Sequence, residues 1–514
     1  MAKITLKQTC IVINDYEPGD CQQLEGYFTL FDPVTHSEYI KGMVYEPDTK
    51  TLILPRGLDI YLLERLFNQT ASIDYNNDEY EYTEPIMLQK LPKDDNQKQT
   101  LRFLLGEGEY HHNKYKAQLC VNNNTGTGKT YVASATIAFT LLRSIMISST
   151  KGIINQWVER LTEYTDLTKK DICIIEGSGT IFRLLNTEPS RYKMYLATHA
   201  TLQSYGSTYG WDKVGELFKH LKLGLKIYDE YHLNFDNMIM VDAYTNTYKT
   251  LYLSATPARS SEKENTIYQY CFKNIPSIDL FNPETDPHTD YMALVYSTEP
   301  TPTEISDCKN RYGLDRNRYT NYVLSKDNFH LMLHYIIHRI KNVHGKVLIY
   351  IGTNNAILFI KEWIINNYPE LRTKIGVYTS ITTENKEAQL DKKIILSTTK
   401  SCGAAMDIYG LKLTVILDEP FKSEVLARQV LGRTRDKDTL CIEAVDRGFN
   451  QCYKYYKSKQ PIMQKYAKEC YEVKIGTNSL QDKVDKILTE YKSLEQPIIF
   501  TNPGELIKPI TRIR

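Results

Sequence analysis

The 514 residues, 42% hydrophobic and 24% charged, suffice for about three or four domains with the balance of a globular protein. No run reaches the roughly 18 apolar residues of a membrane span, and Met1-Ala2-Lys3-Ile4-Thr5 opens no secretory apolar core, so a cytoplasmic protein without a membrane partner is expected. A net charge of +1 excludes a globally basic nucleic-acid binder, leaving only a local basic track for such a role. The 10 cysteines stand singly, with no C-x-x-C pair, which argues against a zinc cluster or a disulfide framework.

In chain order, residues 1–85 read as a small α+β accessory domain. Strands are expected at Tyr27–Phe31 and Thr51–Leu54, and an amphipathic helix at Leu58–Phe67 after Pro55-Arg56-Gly57. Residues 86–275 alternate short apolar runs (Gln118–Val121, Ser144–Ser148, Met194–Ala197, Leu225–Tyr228, Thr250–Leu253) with helical stretches, the pattern of a parallel α/β sheet. After a Pro/Glu/Asp-rich stretch around Asn282 to Pro302 the pattern returns over residues 276–448, with strands expected at Lys346–Ile351, Lys393–Ser397, Leu413–Leu417 and Leu440–Ala444. Residues 449–514 turn helical and rich in Lys and Tyr, ending in an extended tail with Pro497, Pro503 and Pro509. The expected fold is therefore α/β: two tandem parallel-sheet lobes with a small N-terminal α+β domain and a helical C-terminal extension.

The chemistry concentrates in four motifs. Asn123-Asn124-Thr125-Gly126-Thr127-Gly128-Lys129-Thr130 follows a strand and opens a helix, as a phosphate-binding loop does. Gly126 and Gly128 let backbone amides turn toward phosphate, Lys129 reaches the β/γ phosphates and Thr130 can ligate Mg²⁺. About a hundred residues on, Asp229-Glu230-Tyr231-His232 ends a strand. There Asp229 would hold Mg²⁺, Glu230 would polarise the attacking water and His232 would sense the nucleotide. Ser254-Ala255-Thr256-Pro257 ends the next strand, and Gln429-Val-Leu-Gly-Arg433-Thr-Arg435 carries guanidinium groups able to stabilise a γ-phosphate as arginine fingers. Alone, each of the last three also reads as an ordinary acidic, polar or basic turn.

In this order the motifs resemble superfamily 2 helicases of DExH type over residues 90 to about 445, which implies two RecA-like lobes and the cofactors ATP and Mg²⁺. The resemblance implies adenine reading by Gln97 and nucleotide contacts by Thr125, Gly126, Thr127, Asp407 and Gln429. It further implies a nucleic-acid track of Thr150, Lys151 and Thr198 in the first lobe, with Gln156-Trp157 and Ala197, His199 and Leu202 beside them. In the second lobe the track is Gly352, Thr353, Asn354, Thr398 and Thr399, with Gly403. ATP would bind between Lys129 and either Arg433 or Arg435. Three positions depart from the family: Asn123 replaces a glycine, Ala405 replaces another, and Arg435 follows Arg433 by two residues where three is usual.

The N-terminal arrangement, ending in Leu52-Ile-Leu-Pro-Arg-Gly57, is similar to UvsW-type branch-migration helicases of phages and large DNA viruses. It implies a DNA partner that is branched, forked or single-stranded, in recombination, repair or replication, with Lys41, Arg56 and Arg65 as candidate phosphate contacts. RNA remains open as a track, in an RNA helicase or transcript-release ATPase, as does a duplex translocase of a restriction or packaging complex. A non-catalytic binding module is disfavoured by the intact Lys129, Asp229, Glu230 and Arg433. The stretch Tyr453-Lys-Tyr-Tyr-Lys457, with Lys459, Lys465 and Lys468, reads equally as a single-strand binding face and as a helix lying on the second lobe. A monomer or weak oligomer is expected, working with replication or recombination proteins.

Overall fold

Two sheets of parallel strands organise the chain, one in each of two units, Met1–Phe281 and Asn282–Arg514. The computed structural model describes residues 3–32, 37–75, 78–123, 127–187, 191–254, 262–280, 289–311, 313–340, 343–379, 381–382, 385–402, 408–418, 427, 430–431, 439–474 and 511–512.

The first unit opens with a five-stranded sheet in the order Val44–Glu46, Thr51–Pro55, Cys10–Asn14, Lys3–Leu6 and Ser72–Ile73, antiparallel except for the last pair. Helix Ile60–Phe67 starts at Asp59, whose carboxylate accepts from Tyr61 N, and stops at Asn68 in the left-handed region. The expected strand Tyr27–Phe31 is split: Gln22–Phe28 is helical and only Thr29–Asp32 is extended. Leu24 and Phe28, four residues apart, both bury from the helix, and an apolar run this short does not distinguish the two periods.

A seven-stranded parallel sheet follows, in the order Ile172–Ile175, Met194–Thr198, Ser144–Ser148, Leu225–Asp229, Lys249–Leu253, Gln118–Val121 and Ser277–Ile278. Five of these strands are buried along their whole length, as expected with helices over both faces. The N-terminal sheet and this sheet share one hydrophobic core, from Ile4, Ile11 and Leu52 to Ile145, Tyr228 and Tyr252. At their seam a Cβ on Gly57 would lie 2.2 Å from the Cys271 carbonyl, so only glycine permits that approach.

A buried polar network crosses the same seam. Asp242 accepts from Lys226 Nζ at 2.6 Å, Tyr228 Oη at 2.8 Å and Tyr252 Oη at 2.6 Å. Gln118 Nε2 donates to Tyr252 Oη and to the Thr9 carbonyl, while Thr9 Oγ1 donates to the Thr245 carbonyl. Lys226 is wholly buried, so its charge is tolerable only because Asp242 neutralises it.

The second unit holds an eight-stranded sheet in the order Ile375–Tyr378, Ile394–Ser397, Lys346–Tyr350, Leu411–Ile416, Thr439–Asp446, Thr289–Tyr296, Cys470–Lys474 and Thr511–Arg512, parallel but for the last strand. These are tandem RecA-like lobes. Within the Pro/Glu/Asp-rich stretch the structure finds the eight-residue strand Thr289–Tyr296, buried and central; acidic and proline residues on both flanks had hidden its apolar run. Helix Asn450–Tyr466 gives the C-terminal region its helical character. It buries Cys452, Tyr456, Lys459 and Met463, and Lys459 Nζ is paired with Glu443. The Lys/Tyr-rich stretch is thus an amphipathic helix laid on its own lobe, with Lys454, Lys457, Lys465 and Lys468 exposed. Among the described residues no helix is long and apolar enough to cross a membrane.

Asp242→Asn should leave the Lys226 cation buried without a counter-charge, and lower the urea-unfolding free energy by about 3–5 kcal/mol.

Candidate nucleotide and nucleic-acid site

A parallel sheet presents the carboxyl ends of its strands on one edge, and in the first unit three chemistry-bearing motifs meet there. Strand Gln118–Val121 leads to the phosphate loop, Leu225–Asp229 ends in the carboxylates, and Lys249–Leu253, lying between them, leads to Ser254.

Of the phosphate loop, Thr125 and Gly126 lie outside the described residues, while Asn123 and Thr127 to Thr130 are placed. Gly128 takes φ +91° and caps helix Lys129–Thr140 with no side-chain hydrogen bond. With glycine at the N-cap, that residue supplies no side-chain cap, and helix amino ends of this kind suit an anion. Gln97 Nε2 donates to the Thr127 carbonyl at 3.1 Å, and a Cβ on Gly128 would fall 2.1 Å from that nitrogen. Gly128 is thus required both for its backbone angle and for the close fit of Gln97. Gln97 is itself fixed: Asp94 accepts from its backbone N at 2.8 Å, and its Oε1 accepts from Lys93 N at 3.0 Å. Lys129 Nζ donates to the Asn123 carbonyl at 3.0 Å. The side chain of Asn123 donates to Thr100 Oγ1 and accepts from Leu280 N, both at 2.9 Å. That pair of bonds accounts for an asparagine where the family has glycine.

Asp229 Oδ2 accepts from the Trp157 indole Nε1 at 2.7 Å. Burial, and then the neighbouring Glu230, raise the Asp229 carboxyl well above the usual carboxylate range, while Trp157 and Lys129 oppose the rise. Glu230 takes φ +52°, a strained angle for a residue with a Cβ. It is 4% exposed, and its Oε2 has no hydrogen-bond partner. That oxygen lies 3.4 Å from His232 Nδ1, which is 2.8 Å from Ser254 Oγ. Glu230, His232 and Ser254 therefore form one buried chain of polar groups whose carboxylate oxygen makes no hydrogen bond.

On the same edge, Thr150 caps helix Lys151–Tyr164 and Thr198 caps helix His199–Tyr209, each through its own hydroxyl. Their strands pair directly, Thr198 opposite Ser148. Lys151, Asn155, Glu176, Thr198 and Thr201 line a cleft of about 90 Å³ beside them. His199 cannot join that surface: it is 1% exposed, bonded to Asn237 Oδ1 at 2.7 Å and stacked on Tyr228 at 5.7 Å. Burial pushes its imidazole down to about 4.

In the second unit, Thr353 caps helix Asn354–Asn367, and Gly352 N donates to Asp418 Oδ1 at 2.8 Å. Thr398 accepts from Ser401 N at 3.1 Å, and Thr399 is buried at 7% exposure. Asp407, Gln429, Arg433 and Arg435 lie outside the described residues, as do Gly403, Ala405 and Ala255 to Pro257. Lys41 is not available to phosphate, because Glu264 and Asp236 hold its Nζ at 2.5 and 3.1 Å. Arg65 is exposed, and Arg56 donates to the Lys7 carbonyl and to Tyr75. Among the described residues no group of three or more His, Cys, Asp or Glu side chains is placed to hold a metal.

Comparison with known proteins adds to this geometry. Residues 90–259 match the family described as type III restriction enzyme, res subunit, and that span contains the phosphate loop, both carboxylates and Ser254. The first unit carries a superfamily 2 helicase ATPase domain. Rad25 of Haloarcula marismortui, named as a DNA 3'-5' helicase, is 28% identical over 143 residues, 28% of this chain. The match spans only 20% of that relative's length. Among solved structures, Saccharomyces cerevisiae Dbp5 bound to RNA and ADP BeF3 superposes with a TM-score of 0.51 at 16% identity, covering 77% of this chain and 93% of that one. A fragment of an HsdR subunit of a type I restriction enzyme from Vibrio vulnificus gives 0.50 at 15% identity, covering 88% and 78%. Both likenesses concern the fold of the helicase lobes.

The Trp157 bond to Asp229 and the Asn123 anchors were not visible as pairings in the sequence. The signal for the first was a tryptophan on the buried stripe Ile153, Ile154, Trp157 and Leu161, since a buried indole N–H calls for an acceptor.

Trp157→Phe should retain the packing but strip Asp229 of its donor, costing about 1–3 kcal/mol in thermal-unfolding measurements. His199 makes stability depend on pH. Its folded value of about 4 lies below the ordinary 6.5, so the unfolded chain binds the extra proton and stability falls as pH drops from 6.5 toward 4. Over that window the loss from this group approaches about 3 kcal/mol, and His199→Gln should flatten the unfolding free energy measured across it.

Proposed function

We propose that this protein is an ATP-dependent DNA helicase or translocase acting on branched or forked DNA. The observation that carries the ATPase reading is the buried Glu230 oxygen that makes no hydrogen bond, beside Asp229 and on the same strand edge as the helix that starts at Lys129. A carboxylate so placed can take a proton from water attacking a phosphoanhydride. Lys129, drawn from the Asn123 carbonyl, and the amides of Gly128 to Thr130 would hold the phosphates. Gln97 is fixed against the loop where an adenine reader belongs. Thr130 and Asp229 would hold Mg²⁺, which would supply charge neutralisation when bound. Thr150, Lys151 and Thr198 would form the backbone track in the first unit, and Thr353, Asn354 and Thr399 its counterpart in the second.

The DNA reading rests on the sequence matches, a restriction-enzyme subunit family and a relative named as a DNA helicase. The likeness to an RNA-bound protein concerns fold alone. Preference for branches rests on the resemblance of the N-terminal arrangement ending in Leu52-Ile-Leu-Pro-Arg-Gly57 to UvsW-type helicases.

Lys129→Ala and Glu230→Gln should each reduce ATP turnover at least about 100-fold while leaving the unfolding temperature of Lys129→Ala unchanged. Turnover should rise with forked or single-stranded DNA more than with structured RNA at matched low salt. A stronger rise with RNA would replace the substrate reading with an RNA helicase, and full turnover by either variant would overturn the site.

A further inference from the structure

One helix of the first unit, Lys151–Tyr164, reaches both parts of the candidate site. Thr150 caps its first turn, and Lys151, Ile154 and Asn155 line the cleft shared with Thr198 and Thr201. Its second turn carries Trp157, whose indole Nε1 donates to Asp229 Oδ2 at 2.7 Å. At the rise of an α-helix, Trp157 follows Ile154 by about 4.5 Å and Lys151 by about 9 Å along the axis. No loop intervenes between the end that lines the cleft and the side chain that holds the carboxylate.

The two ends of this bond are held differently. Trp157 is 1% exposed and packs on the buried stripe of Ile153, Ile154 and Leu161, so its ring moves only with its helix. Asp229 ends a strand that is buried along its length and paired on both sides, to Lys249–Leu253 and Ser144–Ser148, so the carboxylate is anchored to the sheet. An indole N–H is a donor only and has one direction in which to donate. A helix shift of about 1 Å, the scale on which packed helices move in switching proteins, is enough to carry the donor out of hydrogen-bond range of a fixed acceptor.

We propose that Trp157 is a positioning residue that couples the nucleic-acid track to the nucleotide site, relaying the placement of helix Lys151–Tyr164 on a captured strand to the Asp229 carboxylate. This role presupposes the ATPase and the track proposed above. In full-length protein, polarisation titrations of fluorescein-labelled oligothymidylate and oligouridylate, with and without Mg·AMP-PNP, read the coupling as a ratio of affinities. For the preferred strand the ratio should differ from one by at least about fivefold in the unmodified protein and by less than about twofold in Trp157→Phe. Without nucleotide, Trp157→Phe should bind the strand within about twofold of the unmodified protein, while the gain in ATP turnover on adding strand should fall at least about tenfold. Leu161→Met changes the same buried stripe without touching a polar group and should keep the coupling. In protein labelled with 5-fluorotryptophan, the Trp157 fluorine resonance, assigned by elimination with Trp211→Phe and Trp363→Phe, should shift when strand alone is added. Coupling retained by Trp157→Phe, coupling lost equally in Leu161→Met, or a fluorine resonance that ignores the strand would overturn the proposal. Absence of ATP turnover by the unmodified protein would instead overturn the ATPase reading beneath it.

Discussion

Hydrogen-bonded parallel strands run in one direction, so whatever follows each of them emerges on a common edge, and the first unit depends on this constraint. Residues 123, 229 and 254 are far apart in the chain but arrive together because their strands are neighbours in register. No loop needs to be long to build the site, and the elements that hold the reacting groups belong to the core. The backbone strain at Glu230 sits one residue beyond a strand buried along its length, where surrounding packing can sustain it.

Two kinds of buried polar group stand out in the interior: charges given a specific partner, and groups left with an atom that makes no hydrogen bond. Lys226 with Asp242 and Lys459 with Glu443 exemplify the first case. Glu230 and Gln118 exemplify the second, at opposite ends of one sheet. The contrast lies in the surroundings. Glu230 stands beside Asp229 and His232 at the carboxyl edge of the sheet, whereas Gln118 lies within the polar network of Tyr252 and Thr9.

Much of this was legible in the sequence where chemistry or geometry restricts residue type. A glycine at 128, a lysine at 129 and paired carboxylates at the end of an apolar run tolerate few alternatives, and nine strands of the two lobes announced themselves as apolar runs, whereas the four-residue strands Ile172–Ile175 and Ile375–Tyr378 did not. Three kinds of feature were not legible. Short apolar runs fit both periods, as at Tyr27 and Phe28. Polar flanks concealed the strand Thr289–Tyr296. Pairings across long separations leave no local trace: Trp157 reaches Asp229 over 72 residues, and Lys41 reads as a surface cation until Glu264 is found beside it.

Asn123 joins two places that the sequence keeps 157 residues apart. Its carboxamide anchors the phosphate loop to Thr100 and also supplies the acceptor for the amide of Leu280, one residue from the last of the first unit. The loop and the point where the chain leaves this unit therefore hang from a single peg. Turning the Asn123 side chain would therefore take the Leu280 amide's acceptor with it.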